Sequence, residues 1–143
     1  MKVLLLATTL ALTVSSCGAS DGATDSRGFK AKVSSERGLP EGVDSIGDSS
    51  TGAGFVAGKL AVTTFGSSSN PDVVTGAEFG EQKITLSLGN NVHAPATADY
   101  IPTTSTLAIP DTIDIGKAVI VVLGDRGEVT VTGSQFAWLA AQN

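Results

Sequence analysis

From Gly54 onward, apolar and polar positions alternate with a period of two. "KLAVTTF" sets Leu60, Val62 and Thr64 on one face. "QKITLSL" turns Ile84, Leu86 and Leu88 inward with Thr85 and Ser87 outward, and "GEVTVTG" does the same with Val129 and Val131. A period of two is that of a half-buried β-strand, whose side chains point to opposite faces in turn. "AVIVVL" (Ala118 to Leu123) is apolar throughout, which predicts a central strand covered on both sides or one whose outer face meets a partner. "GDRG" (Gly124 to Gly127) then has the turn chemistry of a hairpin joining it to "EVTVT". A last strand is expected around Phe136 to Leu139, with Phe136 and Trp138 two apart on one face, the face expected to be core.

Turn residues at Gly66–Pro71, Gly89–Pro95, Pro102, Pro110 and Gly124 separate these strands at short intervals. The expectation is an all-β fold: a small immunoglobulin-like β-sandwich of about seven strands over residues 54–143. Upstream the pattern changes. Residues 18–53 hold five large apolar side chains in 36 (Phe29, Val33, Leu39, Val43, Ile46), against 28 in 90 for residues 54–143. So little apolar surface cannot offset the entropy of ordering, so residues 17–53 are expected to be a flexible tether. Within it, "GFKAKVSSERGLPEGVDSIG" has enough apolar side chains (Phe29, Val33, Leu39) to dock as an edge segment, and that alternative stays open.

The N-terminus differs again. Met1 and Lys2 precede an apolar, Thr-containing run from Val3 to Val14. A bilayer-spanning helix needs about 20 residues, so this run reads as a signal peptide covering residues 1–16. Val14, Ser15, Ser16 and Cys17 resemble the lipobox of bacterial lipoproteins, an aliphatic and two small residues before a cysteine. The resemblance implies cleavage before Cys17, a diacylglyceryl thioether on its sulfur and an acylated amino group. Cys17 is the sole cysteine, so no internal disulfide can form, and lipidation would remove an otherwise exposed thiol from an exported protein. Two or three acyl chains suffice for stable anchoring. Gly18 and Ala19 lack the aspartate that resembles an inner-membrane retention signal, which favours the outer membrane or the cell surface.

Charge and motifs then narrow the function classes. The net charge is -5 and the nine basic residues are scattered, so no basic surface for nucleic acid is expected. "AGFVAGKL" approaches a phosphate-binding loop, but Ala53 stands at the first glycine position and Leu60 at the hydroxyl that would hold magnesium, so no nucleotide is expected. His93, in "GNNVHAP", is the only histidine, and reads as an exposed turn residue without a nucleophile or co-ligands. Asp99, Asp111, Asp114 and Asp125 do not form the alternating pattern of a calcium loop and read as turn or solvated residues.

The layout loosely resembles small sandwich domains of bacterial surface lipoproteins. The resulting expectation is a membrane-anchored, non-enzymatic envelope protein, a binding or structural module with a protein partner in the envelope, without cofactor or metal. Two alternatives stand beside it: an accessory subunit of an envelope assembly or secretion machine, adding its sheet edge to a partner, and a small envelope hydrolase.

Overall fold

The computed structural model describes residues 31–45 and 51–140. The expected signal peptide, Cys17 and the first part of the tether lie outside the described residues. The nine strands are β1 (Val33–Arg37), β2 (Thr51–Val56), β3 (Lys59–Gly66), β4 (Val73–Gly80), β5 (Lys83–Gly89), β6 (Ile101–Leu107), β7 (Val119–Leu123), β8 (Glu128–Val131) and β9 (Phe136–Trp138). They form a five-stranded sheet, β1-β6-β3-β2-β9, and a four-stranded sheet, β4-β5-β7-β8. The all-β sandwich is therefore present, with nine strands where about seven were expected.

The inward alternation builds the core. Leu60, Val62, Phe55 and Leu107 from the larger sheet meet Ile84, Leu86, Val119, Val121, Leu123 and Val131 from the smaller one, all nearly or wholly buried. Two polar links join the sheets. The Val74 amide of β4 donates to Ser105 Oγ of β6, which also bonds Ser35 Oγ of β1. At one end, Arg126 of the β7–β8 turn donates to Thr51 Oγ1 (2.7 Å) and pairs with Asp72.

Three findings bear on the expectations. β1 lies within the expected tether, yet it pairs antiparallel with β6 from Val33↔Leu107 to Arg37↔Thr103, and the expected boundary at Gly54 falls inside β2. This is the edge docking left open for the segment, made by backbone pairing, the Ser35–Ser105 hydroxyl bond and Val33 packed against the core. Next, β7 is central, between β5 and β8, but buried on one face only: Val119, Val121 and Leu123 point into the core, while Ile120 is exposed on the other side. Lastly, β5 and β7 are parallel, because the chain crosses the far end of the sandwich between β6 and β7, with Ile113 buried along the way.

Strand directions also fix two ends. Ala31 enters beside Leu107, at the C-terminal end of β6, while the loops 67–72 and 90–100 gather at the opposite end, beside the start of β6.

Candidate functional site

β2 reads "TGAGFV", and its period of two puts Gly52 and Gly54 together on the outer face of the five-stranded sheet. β9 reads "FAW" and runs antiparallel beside it, with Phe136 opposite Gly54 and Trp138 opposite Gly52. Paired residues share a face, so both rings fold over the glycine notch. A methyl carbon at Gly52 would sit 2.6 Å from Trp138 Cε3 and 2.7 Å from Phe136 Cε1. Aromatic cover of strand glycines of this kind replaces the packing the glycines lack. Phe136 and Trp138 thus lie outside the inter-sheet core where they were expected, while the Ala137 between them packs toward it.

The notch also lets rings from alternate strands meet. β9 and β3 are separated by β2, and two strand spacings come to about 9.5 Å. Over Gly52, however, Trp138 leans to within 6.0 Å of Phe65 on β3, ring centre to ring centre. Phe65 in turn stacks on Tyr100, at 5.3 Å and 24° between planes, and Trp138 lies 4.9 Å from Phe136. The result is a row of four rings, Phe136–Trp138–Phe65–Tyr100, across the sheet. The first three are half-buried and Tyr100 is 60% exposed. Beneath and beside the row lie the buried hydroxyls of Thr63 and Thr104, bonded to each other at 2.8 Å.

Tyr100 ends a long loop that is tied down rather than loose. Ser67 Oγ accepts the Thr97 amide at 2.8 Å, and Asn70 Nδ2 donates to the Asn91 carbonyl, also at 2.8 Å. Asp99 accepts the Ser68 amide and the Thr97 hydroxyl. Hydrogen bonds from Ser68, then from Thr97, hold the Asp99 carboxyl down from the ordinary 3.8 to about 2. This carboxylate is committed to the loop. Val92, His93 and Tyr100 stay exposed on the loop so held.

On the same outer face, residues 36–41 fold back toward the β2–β3 turn, as the Thr104 hydroxyl donates to the Gly38 carbonyl. A groove of about 440 Å³ lies between them, floored by Ala61, Thr104 and Thr106 and rimmed by Glu36, Glu41 and Lys59.

The sequence candidates fall elsewhere. The stretch resembling a phosphate loop forms the β2–β3 hairpin, turning through Ala57 and Gly58 with positive φ at both, and Lys59 is exposed. His93 sits in the exposed loop, its amide bonded to Asn91 Oδ1. Asp111 and Asp114 lie at the end of the sandwich away from Asp99 and Asp125, and Asp114 pairs with the exposed Lys117. Among the described residues, no three His, Cys, Asp or Glu side chains are grouped to hold a metal ion. Cys17 is outside the described residues. The aromatic row itself was not anticipated, although its signal was present: Gly-x-Gly in one strand and Phe-x-Trp in another share the same period. No family model, curated protein or solved structure matches the chain.

Proposed function

We propose that this protein is a lipid-anchored component of the bacterial cell envelope, held through Cys17 at the outer membrane or cell surface, and that it works as a binding module. The observation that carries this reading is the row Phe136–Trp138–Phe65–Tyr100, apolar ring area left on an outer sheet face and ending on a loop fixed by side-chain hydrogen bonds. Rings held in place give contact area at low entropic cost, as binding requires. Chain direction sets the orientation such an anchor would give. Ala31 enters at the end opposite the loops, so a tether from Cys17 would present Tyr100 away from the membrane.

Two measurements test the reading. Intact mass of the native protein should show loss of residues 1–16 and added acyl mass on Cys17; a free thiol on a membrane-free product overturns the anchor. A photo-reactive side chain placed in living cells by Tyr100→benzoylphenylalanine should form a covalent adduct, whereas the same group at the exposed Thr130, on the other sheet, should not. Adducts at neither site, or equally at both, overturn the binding surface.

A further inference from the structure

We propose that two copies of this chain pair through the edge of β9, antiparallel about Ala137, so that their larger sheets run on as one. This goes beyond the binding-module reading and does not depend on the anchor. Backbone direction is the starting point. Leu139 donates its amide to the Thr51 carbonyl, which makes Leu139–Thr51 a hydrogen-bonded pair of the β2–β9 ladder and Ala137–Ala53 the next such pair. Phe136 and Trp138 therefore turn their amides and carbonyls to the other side of β9, where no strand is paired among the described residues.

Charge sets this edge apart from the others. Sheet edges are guarded against self-association by charged side chains and bulges. β1 carries Glu36 and Arg37, β8 carries Glu128, and β4 carries Glu78 and breaks its register between Val74 and Gly76. β9 carries no charge, and no charged residue occurs from Val129 to Asn143. The charged side chains of the outer face, Glu36, Arg37, Glu41 and Lys59, line the groove beside β1, β6 and β3 instead. Around a two-fold axis each residue faces its own kind or a near neighbour, so a charge there would meet its like. In a chain of net charge -5, an uncharged edge is what self-pairing needs.

The side chains then fix the register. With Ala137 opposite Ala137 of the second copy, Phe136 falls opposite Trp138, and the outward amides and carbonyls of both meet their counterparts in hydrogen-bonded pairs. Centring the pair on Phe136 would set Trp138 against Ser134, which is in a turn; centring it on Trp138 would set Phe136 against Ala140, past the strand. Either shift loses bonds. Paired residues share a face, so Trp138 of the second copy continues the ring row beyond Phe136, where the row of one copy stops. A strand of 3 residues makes few bonds, so the dimer is reversible rather than obligate.

Sedimentation equilibrium of the full chain should show a monomer–dimer equilibrium. Trp138 is the sole tryptophan and sits at the contact, so its emission should shift on dilution over the same concentration range. Thiol cross-linking locates the contact independently. A non-hydrogen-bonded antiparallel pair, as Ala137 makes with its copy, has Cα atoms about 4.5 Å apart, within the span of a disulfide. With Cys17→Ser removing the native thiol, Ala137→Cys should form a disulfide-linked dimer at least about tenfold faster than Ser34→Cys on the β1 edge or Thr130→Cys on the β8 edge, both exposed positions. A monomer at every concentration overturns the proposal, even if the edge then takes a strand of another protein. A dimer whose dissociation leaves the Trp138 emission unchanged, or which cross-links no faster at Ala137→Cys than at the control positions, pairs through another surface and overturns it as well.

Discussion

Gly52 and Trp138 face each other across the β2–β9 pair so closely that a methyl group on Gly52 would lie 2.6 Å from the indole Cε3. Gly52→Ala must therefore displace the ring or the strand, and overpacking of this kind costs about 1–3 kcal/mol. Trp138→Ala should also destabilise, by uncovering β2. Combining them should cost less than the sum, because the added methyl then occupies vacated space; the relief is partial, since Phe136 Cε1 would still be 2.7 Å away. Urea unfolding of the two single variants and the double closes the cycle. Strict additivity would show that the ring does not rest on the glycine.

The run "VIVVL" makes opposite predictions at Ile120 and Leu123. Leu123 is fully buried between the sheets, and Leu123→Ala should cost about 2–5 kcal/mol from lost transfer energy and the cavity left behind. Ile120 is exposed on the outer face, so Ile120→Thr should change stability by less than about 0.5 kcal/mol. Chemical denaturation of both variants measures the contrast. Equal losses would mean that the outer face of β7 is covered as well.

These cases show which parts of the fold the sequence discloses. Alternation located Leu60, Val62, Ile84, Leu86, Val129 and Val131 as inward positions, since one buried face imposes the period directly. The "GDRG" hairpin was legible for a similarly local reason. Period two cannot say which sheet face is the core, however, and Phe136 and Trp138 went to the outer one because the glycines of β2 left a notch there. The site was hidden for the same reason: its rings come from β9, β3 and the loop before β6, and only the strand order brings them together.

The pinned loop should respond to acid in a defined window. Asp99 has its carboxyl depressed in the folded protein to about 2, so hydrogen bonding to Ser68 and Thr97 favours the fold at every pH above the ordinary 3.8. That contribution fades as pH falls from about 4 through 2. In an NMR titration the Ser68 amide should hold its shift down to pH 4 and move with a midpoint near 2. Asp99→Asn should remove the transition. A midpoint at the ordinary carboxylate value would show that the loop bonds do not hold Asp99 ionised.

Arg126 ties the smaller sheet to the larger through Thr51 and Asp72, with both charged side chains half-buried. Arg126→Ala leaves the buried Thr51 hydroxyl and the Asp72 carboxylate without that donor, at a cost of about 1–3 kcal/mol. Asp72 also accepts from Asn90, so Asp72→Asn should cost less than Arg126→Ala. Thermal melts of the two variants rank them. The reverse order would place the main role of the network on Asp72 rather than on the inter-sheet link.

The final prediction concerns the strand that composition assigned to the tether. β1 covers one side of β6 from Thr103 to Leu107 and carries the hydroxyl bond between Ser35 and Ser105. Deleting residues 31–37 should expose the β6 edge from Thr103 to Leu107, each lost backbone bond costing about 0.5–1.5 kcal/mol. Leu107, now almost fully buried, would lose part of its cover, and the open edge would be free to pair with a second copy. The deletion should therefore lower the melting temperature and produce concentration-dependent association in sedimentation. Limited trypsin digestion gives an independent reading, since cleavage after Arg37 requires β1 to leave the sheet. Cleavage at Arg37 as fast as in the unfolded chain, together with an unchanged melting temperature on deletion, would return residues 31–37 to the tether and place the start of the folded unit at β2.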